Sequence, residues 1–465
     1  MSPHLVPPGA ARGTVSEDLI IRSGHVVTMD PGLGDIPDGD VLVTGGRIAA
    51  VGAGLDPAAL GAPQARELDA RGMIVAPGLV ETHWHLWNTL LRAMSGGLPG
   101  SGRPAGYFGV SLGLGQAFTD HDNYQGTLLA CAEAVNSGIT TVHDWSHNVR
   151  GPAHAEAELR ALAQAGLRAR YSYGYSAGHP NDQAMDLRGL RALHRDWDSW
   201  SGTGAPGGAG LLTLGVACRG LGGSNPATRV PPGVYQREMA AARELGLPVT
   251  VHACGPPAAA GQIAALARAG LLGPDLQVVH ANSATAAEIA QLAAAGCAVS
   301  LSPFSELLIG YGLPLTAQLL AAGIRVGLSV DTTALTGNAD MFAIMKLTQG
   351  LINATAHQEF ACTARQALAL GTIEGARSLG LDAVTGSLTP GKRADVILVG
   401  TGHPNLGVLT DPAGLLVTAA QPANVDTVLA DGQILKRGGA LVTLDAERIT
   451  AQAREALAAV RSRAA

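Results

Sequence analysis

Two histidines separated by a single residue, His83 and His85, stand in the segment Val-Glu-Thr-His-Trp-His. They follow an apolar run that contains Ala-Pro-Gly. Alternate side chains of a strand point to the same face, so both imidazoles are predicted to face one side at the end of a buried strand. Nitrogen ligands that converge in this way suit Zn²⁺ or a similar transition metal.

Three further residues that can bind a metal or carry a proton follow downstream. His252 and His280 each end an apolar run, and Asp331 comes just after another. A single histidine at a strand end is commonly a core or rim residue. Five metal-binding side chains at such positions are hard to explain by packing, so we predict a metal site where the strands end.

Short apolar strands alternate with alanine-rich helices through the middle of the chain. The eight predicted strands are 73–82, 140–143, 169–173, 211–216, 248–252, 276–280, 298–302 and 325–329. This alternation predicts an α/β fold, a (β/α)₈ barrel of the TIM type, in which active-site residues occupy the C-terminal ends of the strands. A doubly wound open sheet is the alternative, but no glycine-rich phosphate turn follows the first strand.

The two ends of the chain contain short strands broken by glycine turns, a pattern typical of antiparallel sheet. Neither end holds enough strands to close a core alone, so we predict one small β-sandwich built from both termini. Residues 18–74 form its N-terminal part, residues 75–384 the barrel, and residues 385–465 its C-terminal part with a terminal helix.

Composition restricts the partners of this protein. The chain has 465 residues, of which 47% are apolar, and a net charge of −6, which argues against nucleic acid or an anionic membrane as a partner. No apolar run reaches the roughly 18 residues that a membrane span needs. The five cysteines are scattered and form no C-x-x-C pair, which suits reduced, buried residues of a cytoplasmic protein.

In its motifs the chain resembles the amidohydrolase superfamily, in the mononuclear branch that includes triazine hydrolases and cytosine, guanine and S-adenosylhomocysteine-type deaminases. The resembling segments are Ala76-Pro-Gly-Leu-Val-Glu-Thr-His-Trp-His, Ser137-Gly-Ile-Thr-Thr-Val-His-Asp, Val251-His-Ala, Val279-His-Ala, Ser302-Pro, Gly327-Leu-Ser-Val-Asp and Gly386-Ser-Leu-Thr-Pro-Gly-Lys-Arg-Ala-Asp. The resemblance implies that His83, His85, His252 and Asp331 bind one divalent metal ion. We expect Zn²⁺, with Fe²⁺, Mn²⁺ or Ni²⁺ as alternatives.

The scarcity of lysine also favours a single metal ion. Binuclear relatives bridge two ions with a carboxylated lysine, normally from the fourth strand. The three lysines of this chain are Lys346, Lys392 and Lys436, and none lies in that strand.

The chain departs from the deaminases of this branch after the fifth strand. Those enzymes carry a glutamate three residues after the strand-5 histidine, where it moves protons to the ring nitrogen and the leaving ammonia. Gly255 stands at this position here. Because a general acid–base group contributes roughly 10²–10⁴-fold to a rate, its loss indicates a different substrate.

We therefore predict a hydrolase of a C–N bond in an amide, amidine or peptide-derived substrate, as in the maturation of modified peptides. A metal-activated water would attack, with Asp331 as general base and His280 holding the water or donating to the oxyanion. The alternatives are a deaminase that releases ammonia from an N-heterocycle and a catalytically inactive binding barrel. Dimers are common among the relatives, so a homodimer is expected.

Four residues near the strand ends are candidates for substrate binding: Arg219, Glu306, Trp87 and His143. Arg219 could bind a carboxylate or carbonyl group, and Glu306 could supply a displaced carboxylate or recognise a cation. His147 lies in a predicted loop and is expected to be solvated. The glycine-rich segments 86–120 and 201–210 are predicted as long loops, which either act as lids or walls of the pocket or are disordered.

Overall fold

The computed structural model describes residues 17–94, 106–201, 210–221 and 229–465. Its N-terminal segment forms five strands: β1 (Leu19–Val27), β2 (Asp35–Thr44), β3 (Arg47–Gly52), β4 (Arg66–Asp69) and β5 (Met73–Pro77). A bulged antiparallel pairing joins β1 to β2, and β1 also pairs in parallel with β4 and β5. Apolar side chains of β1 and β2 are buried on both faces of this sheet, with Leu19, Ile21, Val41 and Val43 in one cluster and Ile20 and Leu42 in another.

Eight parallel strands follow and form the barrel: β6 (Leu79–Val80), β7 (Ile139–Ser146), β8 (Arg168–Tyr173), β9 (Leu212–Cys218), β10 (Val249–Ala253), β11 (Leu276–His280), β12 (Ala298–Leu301) and β13 (Arg325–Leu328). Each strand pairs with the next one along the chain. Backbone bonds close the ring, since Thr82 N donates to Leu328 O at 3.1 Å and Asp331 N to His83 O at 2.9 Å. The predicted (β/α)₈ barrel is confirmed.

Four strands complete the first sheet: β14 (Val396–Gly400), β15 (Val425–Ala430), β16 (Gln433–Arg437) and β17 (Ala440–Leu441). They join it where β14 pairs antiparallel with β5. The sheet thus combines strands from both termini, as the β-sandwich prediction requires.

The apolar run predicted as one first barrel strand is divided between the two sheets. Met73–Pro77 pairs with β1 and β14, whereas Leu79–Val80 pairs with β7. Gly78 lies between them, and a Cβ atom there would come within 2.0 Å of the Thr140 hydroxyl. A glycine is therefore needed where the chain passes from the terminal sheet into the barrel.

Sixteen helices are described: α1 (Tyr107–Gly115), α2 (Asp120–Asn136), α3 (Pro152–Ala165), α4 (Leu187–Arg195), α5 (Asp198–Ser201), α6 (Pro232–Glu244), α7 (Gln262–Arg268), α8 (Ala286–Ala295), α9 (Pro303–Ile309), α10 (Thr316–Ala321), α11 (Thr333–Thr336), α12 (Met341–Ala356), α13 (Ala364–Leu370), α14 (Ile373–Ser378), α15 (Pro412–Thr418) and α16 (Ala446–Ala464). Short 3₁₀ helices span Leu86–Leu91, Pro257–Ala259 and Pro422–Asn424. Within the described ranges, no helix combines the length and apolar character that crossing a bilayer requires.

The segment predicted as a long loop over 86–120 contains regular structure. It begins with the 3₁₀ helix Leu86–Leu91 and includes α1, and residues 95–105 lie outside the described residues. Apolar side chains of both elements pack together in one cluster with α16, which explains their order. Most of the second predicted loop, residues 202–209, also lies outside the described residues.

One buried ion pair ties the barrel to the terminal sheet. Arg168, at the start of β8, donates from Nε to Asp395 Oδ2 at 2.8 Å and from Nη2 to Asp431 Oδ1 at 3.0 Å. The side chains of Arg168 and Asp395 are 1% and 0% exposed. Paired charges in such a position satisfy one another, so this contact holds the two sheets in one arrangement.

Candidate metal and catalytic centre

The segment that carries His83 and His85 is held in an extended conformation by both neighbouring strands. Trp84 N donates to His143 O at 3.0 Å on one side, and His85 N donates to Asp331 O at 2.8 Å on the other. This pairing sends the side chains of His83 and His85 to one face, where their ring centroids lie 4.7 Å apart. Trp84 is completely buried, as expected for the residue between them.

The predicted metal-binding side chains meet at the C-terminal end of the barrel. Oδ1 of Asp331 lies 3.2 Å from His83 Nε2 and 3.4 Å from His85 Nε2. His252 Nε2 lies 3.2 Å from His83 Nε2. One potential ligand atom from each of His83, His252, His280 and Asp331 lies within 4.8 Å of the others.

The charges of this cluster fit a metal cation. Burial and the neighbouring histidines hold the pKa values of His83 and His252 well below the ordinary range, so both rings are neutral at pH 7. Two neutral imidazoles whose Nε2 atoms are 3.2 Å apart repel each other unless a proton or a cation lies between their lone pairs. A divalent metal ion supplies that charge, and imidazole nitrogens with a carboxylate oxygen are ligands that zinc accepts.

His85 is oriented for the same purpose. Its Nδ1 donates to Trp145 O at 2.9 Å, which leaves the lone pair of Nε2 directed towards Asp331. Metal-binding histidines commonly donate their other ring N–H to a carbonyl or carboxylate, because this bond selects the tautomer.

His280 is held by Glu306, a residue predicted to contact substrate. His280 Nδ1 donates to Glu306 Oε1 at 3.1 Å, and this carboxylate also accepts bonds from Asn282 Nδ2 and Ser302 N. Burial alone would lower the pKa of His280, but Glu306 and the charge of Asp331 raise it above its ordinary value. Glu306 is completely buried, so it faces His280 rather than solvent.

Asp331 is fixed by a residue that sequence reasoning missed. The hydroxyl of Ser305, in α9, donates to Asp331 Oδ2, while Oδ1 faces the histidines. Asp331 and His280 have positive φ angles of 63° and 80°. Left-handed backbone outside glycine is costly, and it concentrates at functional sites because surrounding contacts hold it there.

The other three predicted substrate residues lie in different surroundings. Arg219 is 3% exposed, donates from Nη1 to Pro180 O at 2.6 Å, and leaves Nη2 without a hydrogen-bond partner. Trp87 is completely buried and donates to His147 Nδ1 at 3.1 Å. His143 lies inside the barrel, between Thr82 O at 2.9 Å and Ser172 Oγ at 2.7 Å.

His147, expected in a solvated loop, instead stands against the metal cluster. Its ring centroid is 4.1 Å from that of His85, and burial holds its pKa well below the ordinary range. Tyr175 lies 6.3 Å away between ring centroids, and the guanidinium of Arg219 lies 5.4 Å from the Tyr175 ring. These residues form a wall of aromatic and cationic groups beside the centre. The signal in the sequence was that Trp145 and His147 closely follow Asp144 at the end of a predicted strand.

Tyr311 occupies the space beside Gly255, the position of the missing glutamate. A Cβ atom at Gly255 would lie 2.8 Å from Tyr311 Cε2 and 3.1 Å from Cδ2. The same ring packs edge-on against His280, with 5.2 Å between centroids. The tyrosine therefore fills the volume that a longer side chain at residue 255 would need.

The family follows from a comparison of the chain with known protein families. Residues 74–435 match the model of the amidohydrolase family. The chain belongs to this family. The resemblance that the motifs predicted is thereby confirmed.

Curated relatives match the chain over nearly its whole length. The 5-methylthioadenosine/S-adenosylhomocysteine deaminase of Desulforudis audaxviator is 31% identical over 451 residues, covering 94% of this chain and 97% of the relative. The 5'-deoxyadenosine deaminase of Methanosarcina mazei is 28% identical over 449 residues, with the same coverage of each chain.

Solved structures share the fold. An adenosine deaminase from Xanthomonas campestris with bound zinc is 25% identical and has a TM-score of 0.80, covering 96% of this chain and 99% of that one. Atrazine chlorohydrolase from Arthrobacter aurescens, complexed with zinc, is 23% identical and has a TM-score of 0.81, covering 94% and 100%. The family assignment and the cluster agree on a metal-dependent hydrolase that acts on a C–N bond of a small molecule and uses one divalent ion.

Proposed function

We propose that the chain is a mononuclear zinc hydrolase whose ligands are His83, His85, His252 and Asp331. The facing Nε2 atoms of His83 and His252, 3.2 Å apart, carry this proposal, because both can direct lone pairs to one bound cation beside the Asp331 carboxylate. When bound, a divalent ion acts as a Lewis acid and lowers the pKa of a coordinated water.

The protein side chains then have separate tasks in the proposed reaction. Asp331 accepts the proton of the attacking water and can return it to the leaving nitrogen, since one of its oxygens faces the histidines while Ser305 holds the other. His280, oriented by Glu306, holds the attacking water or, in its protonated form, donates a hydrogen bond to the oxygen that gains charge. Arg219, with its unpartnered Nη2, holds an acceptor group of the substrate.

We propose an amide, amidine or peptide-derived substrate. The supporting observation is Tyr311 over Gly255, since this arrangement leaves no carboxyl group at position 255 to carry a proton to a ring nitrogen. Glu306 does not replace the missing group, because its carboxylate is occupied by His280, Asn282 and Ser302. Trp87 and His143 act indirectly in this proposal, through His147 and the barrel interior respectively.

A deaminase of a purine nucleoside is the second candidate. The names of the curated relatives favour it, including the one that is 31% identical over 94% of this chain. The aromatic wall of His147 and Tyr175 would suit a heterocyclic base.

Metal content and a substrate panel test the proposal. About one zinc per chain is expected in the wild type and in His121→Ala, an exposed control, with strong loss in His83→Ala and Asp331→Ala. The zinc-loaded enzyme is then incubated with amides and amidines and, separately, with 5'-deoxyadenosine and S-adenosylhomocysteine. A new carboxylate from an amide, or a new amide from an amidine, without ammonia from the nucleosides supports the first candidate, and ammonia release from a nucleoside supports the second.

Substitutions at Gly255 and Tyr311 further distinguish the two candidate functions. Gly255→Glu alone places its side chain against the Tyr311 ring, so it is expected to reduce activity. Gly255→Glu with Tyr311→Ala restores both the space and the carboxylate, and nucleoside deamination is expected to rise at least tenfold above Tyr311→Ala alone. If the wild type already deaminates nucleosides faster than the double variant, the assignment from Gly255 is wrong.

We also infer, by analogy with the family, a homodimer in the cytoplasm. All five cysteines are free and buried, as a reducing compartment permits. Light scattering at micromolar concentration measures the mass directly, and a value near the 47.1 kDa of one chain would contradict the dimer.

A further inference from the structure

A polar cavity lies at the opposite end of the barrel from the metal cluster. It has a volume of about 220 Å³ and lies against the first residues of β10, β11, β12 and β13. The side chains that matter most here are His143, Arg170, Ser172, Thr250, Gln277 and Arg325. Of these residues, only His143 has a role in the proposed reaction, and that role is indirect, through the barrel interior.

This cavity presents hydrogen-bond donors that have no partner. Arg170 Nε is buried without a hydrogen bond, and no nitrogen of Arg170 pairs with a carboxylate in the part of the chain that the structure describes. Gln277 Nε2 is also buried without a partner, although its Oε1 accepts from the Thr250 hydroxyl. A buried donor without a partner is costly, and a charged one more so, so a ligand that accepts hydrogen bonds would bind favourably here.

The charges of the cavity point to a negative ligand. Among the described residues, a second guanidinium, that of Arg325, bonds only to backbone carbonyls, such as Gly296 O at 2.5 Å. The carboxylate in the lining, Asp275, is already bound by Arg243 at 2.7 and 3.1 Å. His143 adds no charge, because burial and the nearby Arg170 hold its pKa at about 3. Desolvation lowers the pKa of Arg170 only to about 10, so its charge persists at pH 7.

We propose that this cavity binds a small oxyanion, a carboxylate or a phosphate, through Arg170, Gln277 and Arg325. A guanidinium presents parallel N–H groups that match the oxygens of such an ion. The ion would neutralise the Arg170 guanidinium, which is partly buried and has no carboxylate partner among the described residues. The site is independent of the proposed reaction, and it would couple the stability of the fold to anion concentration.

The test measures thermal stability of the zinc-loaded enzyme against inorganic phosphate and acetate, at ionic strength balanced with chloride. Phosphate or acetate is expected to raise the Tm of the wild type saturably, by about 2 °C at tenfold excess over Kd. The exposed control Arg448→Gln should behave as the wild type, and Arg170→Gln should lose the shift. A response to phosphate but not acetate identifies phosphate as the ligand class, and the reverse identifies a carboxylate.

A second variant tests the proposal even if Arg170→Gln does not fold. Gln277→Glu places a carboxylate in the cavity and supplies the negative charge from the protein itself. This variant should be stabilised without added anion and should no longer respond to it. An equal shift in the wild type, Arg170→Gln and Gln277→Glu would mean that the anion binds elsewhere, for example at the metal, and would overturn the proposal, as would the absence of any shift.

Discussion

The two ends of the barrel hold polar groups of opposite kinds. At the C-terminal ends of the strands, the neutral rings of His83 and His252 face each other beside the Asp331 carboxylate. At the N-terminal ends, Arg168, Arg170 and Arg325 bring positive charge into or under the barrel, and only Arg168 is paired with carboxylates.

This difference has a physical cause in the direction of the helices. Barrel helices run opposite to the strands, so their C-termini, with free carbonyls, lie at the N-terminal end of the barrel and favour cations. Lys436 Nζ donates to Asn136 O at the end of α2, and Arg325 donates to Gly296 O just after α8. The C-terminal end of the barrel is therefore suited to bind a cation, whereas the N-terminal end already contains cationic side chains.

Removal of the carboxylate at the catalytic end should have the largest effect. In Asp331→Asn, the group proposed to accept the proton and to bind the metal is lost, so kcat should fall by roughly 10²–10⁴-fold or more. Steady-state kinetics and metal analysis measure this effect, with Asp38→Asn as an exposed control. A variant that retains metal and more than a tenth of the activity would contradict the role of Asp331.

Removal of the paired cation at the other end should destabilise the fold without altering the chemistry directly. Arg168→Met leaves Asp395 buried without its partner, which typically costs about 3–5 kcal/mol. Urea unfolding measures the loss against Arg191→Met, whose pair with Glu244 is exposed and should be worth about 0–1 kcal/mol. Equal losses of unfolding free energy in the two variants would show that the buried ion pair contributes no more than the exposed one.

The same ion pair predicts a pH dependence of stability. Burial would raise the pKa of Asp395, but the charge and hydrogen bonds of Arg168 lower it below its ordinary value. A folded-state pKa below the unfolded value, about 3.9 for Asp, contributes stability above pH 4 that is lost as pH falls through the folded pKa. The difference in unfolding free energy between wild type and Asp395→Asn should therefore become smaller below pH 4. A constant difference down to pH 3 would show that ionised Asp395 does not cause this pH dependence.

A smaller effect on activity is expected from Glu306. Glu306→Gln preserves the shape of the side chain but weakens the hold on His280, and losses of such supporting bonds cost about 10–100-fold. The fall should appear in kcat more than in KM, and Glu359→Gln, on the exposed surface, serves as control. A change in KM alone would indicate that Glu306 contacts substrate instead.

The smallest effect is expected from a cation at the N-terminal end. Burial lowers the pKa of Lys436 to about 8, against about 10.4 in the unfolded chain. The unfolded state therefore binds more protons between pH 8 and 10, and stability should rise over this interval. Lys436→Met should abolish that rise and stabilise the protein by about 1 kcal/mol at pH 7, since the lost charge outweighs its hydrogen bond to Asn136 O. Destabilisation at pH 7 would show that the hydrogen bond is worth more.

Much of the fold and part of the centre could be predicted from the sequence. The barrel strands were recognisable because each is a short apolar run, and the catalytic end was recognisable because His83, His85, His252, His280 and Asp331 all follow such runs. His147 was misjudged, because its position beside a strand end looks the same in sequence whether the ring faces solvent or His85.

Short-range patterns by themselves determined the fold class, the family and the residues able to bind a metal, because strand periodicity and ligand chemistry are local properties. Only the tertiary structure decided which contacts those residues make: Tyr311 lies over Gly255 from 56 residues away, and Glu306 and Ser305 reach across from α9 to His280 and Asp331. The cavity around Arg170 likewise depends on the neighbouring strands that surround it. Such contacts arise from packing between distant segments, and no spacing within the sequence records them.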